Sequence, residues 1–358
     1  MKFLVLNQNV TDNLGDKLIN QMLCDCIAKS GHSYMSFGFA PSNKQYLSST
    51  NDNNGSHNIF TALKQSCPFF IKYLLRYRGI LKGGQNSGKY SGCDAIIIGG
   101  GQLFKHHSIF VYCMNNWLKY AKRTKKPFAI YGIGIDHNLN FFEKYVYQKV
   151  LKHASYINVR DNNSALLIQK YFGINCTVSP DIAFTYTPPV SEHNDGHNIL
   201  VMPFNYQTAI KYFDINKTRN AYYEDILALL LKKIDKHNIL DIILTATTSE
   251  DYSECIRFQE YLSQQQIKSI VKRTYNIENL VALFQECSCI ITGRMHAMIL
   301  ALICNKEVIP IKISNKINGF TKEYLLTSID IPSLHNAAMS GLEDCINVLN
   351  IFVTNNLI

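Results

Sequence analysis

Short apolar runs that stop at glycine or at a charged residue, each followed by a stretch with helical spacing, recur along this chain. Asp94-Ala95-Ile96-Ile97-Ile98 runs into Gly99-Gly100-Gly101, and Pro127 to Tyr131 into Gly132-Ile133-Gly134. Ser155 to Val159 runs into Arg160-Asp161, and a strand ending near Ile291 runs into Thr292-Gly293-Arg294. A short continuous apolar run between turn signals reads as a strand buried on both faces, which is the pattern of a parallel sheet. Parallel neighbours need a crossover, and the helical stretches supply it. Few folds satisfy that alternation, and a doubly wound α/β sheet is the simplest.

The alternation starts at residues 2–6 and runs to Phe184; Pro188-Pro189 and the polar run 191–198 read as a linker. It restarts at Asn198 to Met202 and continues through Asp241 to Thr245, Ile267 to Val271, the 287–291 strand and Val308 to Ile311, with helices at 221–236, from Glu250, and at 278–286. With 358 residues and 47% hydrophobic side chains there is material for two cores. We therefore expect an α/β protein of two Rossmann-like domains with a cleft between them. The first spans 1–187 and the second 198–335. A C-terminal helix at 336–358, with its amphipathic part at 338–353, is able to pack back on the first domain.

The formal charge of +9 suits an anionic substrate, an acidic membrane surface or nucleic acid. The densest basic cluster, Lys122-Arg123 with Lys125-Lys126, reads as a solvated helix end, so nucleic acid is not expected. Eleven cysteines, an odd number with no CxxC pair, read as buried thiols in a reducing compartment, with no metal and no cofactor. His106-His107 reads as a loop or helix start without partners at ligand spacing. The first residues turn polar too soon for a signal peptide, and no apolar run approaches the ~20 residues of a membrane span. A cytoplasmic protein is expected. Residues 41–58 read as a surface loop and 82–92 as a Gly- and Ser-rich loop. Residues 61–78 read as a basic amphipathic helix able to touch the inner face of a membrane or a lipid-linked substrate.

The stretch from Cys287 to Cys304 concentrates the chemistry. A strand, a turn at Gly293 and a helix whose first turn holds Arg294 and His296 bring together three things. The helix start favours an anion, the guanidinium fork suits phosphate or carboxylate, and the imidazole exchanges a proton near neutral pH. Asn13, Gly15 and Asp16 follow the first strand, at the edge where open parallel sheets bind ligands. Trp117, Tyr145 and Tyr147 read as core or interface aromatics, and Tyr222-Tyr223 as core, with stacking on a sugar the alternative.

Six motifs in order resemble the polysaccharide pyruvyl transferase family: Asn13-x-Gly15-Asp16, Gly99-Gly100-Gly101, Gly132-x-Gly134, Val159-Arg160-Asp161-x-x-Ser164, Ser179-Pro180-Asp181-x-Ala183-Phe184 and Gly293-Arg294-x-His296-Ala297. Ile135, Ile182 and Ile313 stand where that pattern often has a small residue, Pro and Tyr. The resemblance implies a GT-B-like fold, phosphoenolpyruvate as donor, a sugar of an exopolysaccharide or other cell-envelope glycan, free or lipid-linked, as acceptor, and a pyruvate ketal as product. On it, His296, Arg294 and Asp16 are candidate catalytic residues. Asn13, Gly15, Gly100, Gly101, Arg160, Asp161, Ser164 and Lys316 are candidate substrate contacts. A GT-B-type glycosyltransferase using a nucleotide sugar, with Glu278 or Glu286 recruited to the ribose, and a non-catalytic glycan-binding relative are the alternatives.

Overall fold

The computed structural model describes residues 1–40, 90–106, 109–189, 196–213, 216–234 and 241–355. The expectations for 41–58, 61–78, 82–89, 190–195, 235–236 and His107 lie outside the described residues. The chain divides into two compact units. The first holds Met1–Thr11, Leu23–Asp181 and Met339–Ile358, and the second holds Asp12–Met22 and Ile182–Ala338.

The first unit is built on a parallel sheet with spatial order β2-β1-β3-β4-β5-β6 among the described residues. Its strands are β1 (Lys2–Asn7), β2 (Ser33–Gly38), β3 (Ala95–Phe104), β4 (Phe128–Ile135), β5 (Tyr156–Val159) and β6 (Thr177–Val178). They alternate with α1 (Leu14–Lys29), α2 (Phe110–Thr124), α3 (Phe141–Leu151) and α4 (Asn162–Phe172). Leu4, Leu6, Ile96, Ile98 and Ile130 on one face of the sheet pack against Met114 and Leu118 of α2 and Val146, Tyr147 and Val150 of α3. The Tyr147 ring stacks on Phe104, 4.2 Å between centroids and 5° from parallel. A capping box starts α3: the Asn140 side chain accepts from Glu143 N–H, and Glu143 Oε2 accepts from Asn140 N–H at 2.8 Å.

Two strands exceed their expected length. β3 and β4 run through Gly99–Gly101 and Gly132–Gly134 instead of stopping before them. The ladder carries on, pairing Gly101 with Ile133 and Gln102 with Gly134, so the glycines are part of the sheet's rim rather than a turn beyond it. β2 had no sequence counterpart. It is an edge strand whose residues are exposed or half-buried, so it lacks the apolar run that marks the interior strands.

The second unit has a parallel sheet of order β11-β10-β7-β8-β9. Its strands are β7 (Asn198–Met202), β8 (Ile242–Leu244), β9 (Ile270–Val271), β10 (Cys287–Thr292) and β11 (Glu307–Pro310). Its helices are α5 (Tyr206–Phe213), α6 (Arg219–Ile234), α7 (Ser249–Gln264), α8 (Ile277–Gln285), α9 (Met295–Ile303), α10 (Asn315–Phe320) and the start of α11 (Ile331–Asn355). Read from β7, that order is the 3-2-1-4-5 of a Rossmann half, and its winding reverses between β7 and β10. The first sheet reverses between β1 and β3. α11 begins five residues before the expected 336, because Asp330 caps it by accepting from Ser333 N–H.

No described cysteine is in a disulfide. Burial raises the thiol of Cys304 to about 11 and those of Cys113, Cys287 and Cys289 to about 12, so these side chains behave as small apolar residues.

Candidate active site

In an open α/β sheet the ligand crevice lies beyond the carboxyl ends of the strands where the winding reverses. In the second unit those ends are Met202 of β7 and Thr292 of β10, which are direct partners in the ladder. The segment after β10 turns at Gly293, and Arg294 becomes the N-cap of α9 with extended backbone, φ −104° and ψ 115°. Its side chain does not cap the helix. Instead its Nε donates to Asp251 Oδ2 at 2.6 Å and one Nη2–H to Asp251 Oδ1 at 2.8 Å. The guanidinium lies 4.0 Å from the centre of the Phe204 ring, just past β7. Asp251 is almost fully buried and also accepts from Asn205 N–H at 2.9 Å. Thr248 in turn caps Asp251 N–H at 3.1 Å. One edge of the fork is thus fixed by a buried carboxylate, the ring holds one face, and the Nη1 edge has no hydrogen bond among the described residues. That edge is a cation available to an oxyanion.

The first turn of α1 belongs to the same unit. Leu14 N–H donates to Thr247 O at 3.0 Å. Asp12 accepts from Ser249 N–H at 3.0 Å and from the Ser249 hydroxyl, at the start of α7. Burial pushes the Asp12 carboxyl up, but the Ser249 hydroxyl and N–H, its own N–H and Lys17 outweigh it and hold it below the usual carboxylate range. Gly15 packs directly on His296: a Cβ there would overlap Nδ1 and lie 2.9 Å from the ring's Cγ. Asn13 organises this turn, accepting from Gly15 N–H at 3.0 Å and donating to Asp16 Oδ2 at 3.1 Å. The helix starts at Leu14, so Asn13 does the capping and Asp16 lies within the first turn. Asn13, Gly15, Asp16, Arg294 and His296 are therefore brought together in one unit. Sequence reasoning missed Asp12, Thr247 and Asp251. Thr247 Oγ1 is buried with no hydrogen-bond partner among the described residues.

The other predicted contacts lie elsewhere. Lys316 sits in the first turn of α10 with its side chain exposed. Gly100 and Gly101, in the first unit, both have left-handed φ, 75° and 80°, which side-chain-bearing residues adopt only at a cost. Arg160 is only 3% exposed. Its Nη1 donates to Asp181 Oδ2 at 3.1 Å and its Nη2 to Gln102 Oε1 at 3.0 Å. Its Nε lies 3.7 Å from Asp161 Oδ2. Asp161 is the N-cap of α4, accepting from the N–H of buried Ser164 at 2.6 Å. These three residues form a packed polar cluster in which Arg160 is already committed to carboxylates.

Other expectations resolve simply. Tyr222 and Tyr223 are core residues, and burial pushes both phenols far up. Trp117 packs edge-on against Tyr90 and Tyr120. Tyr147 is buried, whereas Tyr145 is exposed. Glu286 is exposed and pairs with Lys272 at 3.0 Å, and Glu278 is exposed. Among the described residues no group of three His, Cys, Asp or Glu could hold a metal ion, and no helix is long and apolar enough to cross a membrane.

The fold is GT-B-like. The UDP-GlcNAc 2-epimerase from Neisseria meningitidis bound to UDP-GlcNAc is similar at TM-score 0.54 and 11% identity, covering 97% of this chain and 100% of that one. The UDP-GlcNAc 2-epimerase of Methanocaldococcus jannaschii in complex with UDP-GlcNAc and UDP gives 0.52 and 14%, over 98% and 100%. Anabaena HepE in complex with UDP and glucose gives 0.51 and 12%, over 99% and 93%. No curated protein sequence matches. A family model then narrows the class. Residues 42–315 match polysaccharide pyruvyl transferase, and the chain belongs to that family of transferases of polysaccharide biosynthesis.

Proposed function

We propose that the protein moves the pyruvyl group of phosphoenolpyruvate onto a sugar of a cell-surface polysaccharide or its precursor, forming a pyruvate ketal. The observation that carries this reading is the half-committed Arg294 at the start of α9, with the imidazole of His296 two residues on. Phosphoenolpyruvate carries a charge near −3 at neutral pH, from a phosphate near −2 and a carboxylate. A helix start with an open guanidinium edge is the environment such an anion needs. The family membership supports the same chemistry.

In the reaction C3 of the donor gains a proton and positive charge builds on C2. One sugar hydroxyl attacks C2 and gives up its proton. The C2–O bond to phosphate breaks, and a second hydroxyl closes the ketal, its proton balancing the departing phosphate. An acid and a base are required, each worth about 10²–10⁴-fold. In this reading His296 is one of them, Arg294 holds the phosphate as it leaves, and Asp16 orients or deprotonates a hydroxyl. Asn13 and Gly15 shape the donor site beside His296. The acceptor, if lipid-linked, would bring the protein to the inner face of the membrane.

The test is thermal-shift screening with phosphoenolpyruvate against UDP-sugars, since only a ligand of the folded state raises the midpoint. Phosphate release with a panel of methyl hexosides accompanies it. Stabilisation by phosphoenolpyruvate, and phosphate release dependent on a hexoside, are expected. Stabilisation by UDP-sugars alone would replace this reading with a nucleotide-sugar glycosyltransferase.

A further inference from the structure

Three threonines stand between β8 and α7, and the fold uses two of their hydroxyls. Thr245 Oγ1 donates to Lys272 O at 2.7 Å, and Thr248 Oγ1 accepts from Asp251 N–H at 3.1 Å. Thr247 differs. It is 4% exposed, and its Oγ1 has no hydrogen-bond partner among the described residues. A buried hydroxyl without a partner costs free energy, and native folds pair nearly all such groups. Its neighbours say what it can serve. The Thr247 carbonyl accepts from Leu14 N–H at 3.0 Å, and Gly15, the next residue of α1, packs on His296. On the other side Thr248 caps the turn of α7 that carries Asp251, whose carboxylate grips Arg294. Thr247 is thus tied through its carbonyl to the segment that touches the imidazole. Through the following residue it is tied to the carboxylate that fixes the guanidinium. All of these residues belong to the second unit.

Phosphoenolpyruvate carries two anionic groups, and the open Nη1 edge of Arg294 serves one of them. A threonine hydroxyl supplies one O–H donor, and it makes its strongest hydrogen bond to an ionised oxygen. We propose that Thr247 Oγ1–H donates to the carboxylate of phosphoenolpyruvate while Arg294 holds the phosphate. The hydroxyl then selects a carboxylated phosphate ester over a plain one. This assignment rests on the pyruvyl-transfer reading above and names the residue that reads the second anionic group of the donor.

The test uses two variants of the full chain and two ligands. Thr247→Val keeps the shape and removes the hydroxyl, and Thr247→Ser keeps the hydroxyl. Phosphoenolpyruvate and methyl phosphate, an ester with no carboxylate, are titrated by NMR so that millimolar binding is read. Thr247→Val should bind phosphoenolpyruvate about 10–100-fold more weakly than the wild type, the range for a hydrogen bond to a charged group. Its affinity for methyl phosphate should not change, and Thr247→Ser should bind both as the wild type does. In phosphate release the KM for phosphoenolpyruvate should rise with little change in kcat, the signature of a contact made equally in ground and transition states. Without ligand, Thr247→Val should melt no lower than the wild type, because it breaks no hydrogen bond. A lower midpoint would mean that the hydroxyl already serves the fold, and overturns the assignment. Unchanged binding of phosphoenolpyruvate by Thr247→Val, or an equal loss for both ligands, overturns it as well and leaves the pyruvyl-transfer reading standing. A wild type that does not bind phosphoenolpyruvate overturns that reading and this one with it.

Discussion

Two arginines follow two buried strands in this molecule, and each meets an aspartate. Arg160 follows β5 and Arg294 follows β10. Their surroundings give them opposite uses. Arg160 is buried, with Asp181, Gln102 and Asp161 around it, so its charge is spent inside the first unit. Arg294 is about one fifth exposed and gives one edge of its fork to buried Asp251. The pairing that immobilises it leaves the other edge for an anion. A strand-end arginine is therefore not a ligand site by position alone; what matters is how many of its donors the fold has already taken.

The sharpest break between the two is stability against turnover. Arg160→Ala removes the guanidinium that pairs with buried Asp181, and about 3–5 kcal/mol of unfolding free energy should be lost in urea denaturation. If the protein tolerates it with an unchanged midpoint, the contrast fails. Arg294→Lys keeps the charge but cannot both grip Asp251 with two N–H groups and present a fork. Phosphate release should fall about 10²–10³-fold, the cost of losing a donor aimed at developing charge. Retention of full activity would place the anion elsewhere. Asp12→Asn should show the smallest effect, about 1 kcal/mol or less at neutral pH, because the group is near the surface. Its folded-state pKa is depressed, so its contribution is present above the unfolded carboxylate pKa and is lost as pH falls through the folded value. Comparing wild type and Asp12→Asn from pH 7 to pH 2 should show the two melting curves converging at the acid end.

The sequence carried the parallel-sheet alternation because interior strands such as 95–98 and 198–202 are apolar on both faces. It did not show where β3 and β4 end, since glycine in a ladder reads like glycine in a turn. Arg294 and His296 were legible because the strand, Gly293 and the apolar α9 helix are contiguous. Asp251 was not, because it lies 43 residues away, after β8, and meets Arg294 only when β10, β7 and β8 pair.

The hydrogen at position 15 has a consequence for anyone who alters this protein. Because the imidazole at 296 leans on a bare α-carbon, one added methyl would tilt the ring without changing a single ionisable group. Gly15→Ala should therefore behave like a silenced enzyme that has kept every reactive atom it owns. A screen that scores only charged or proton-carrying positions would pass over it.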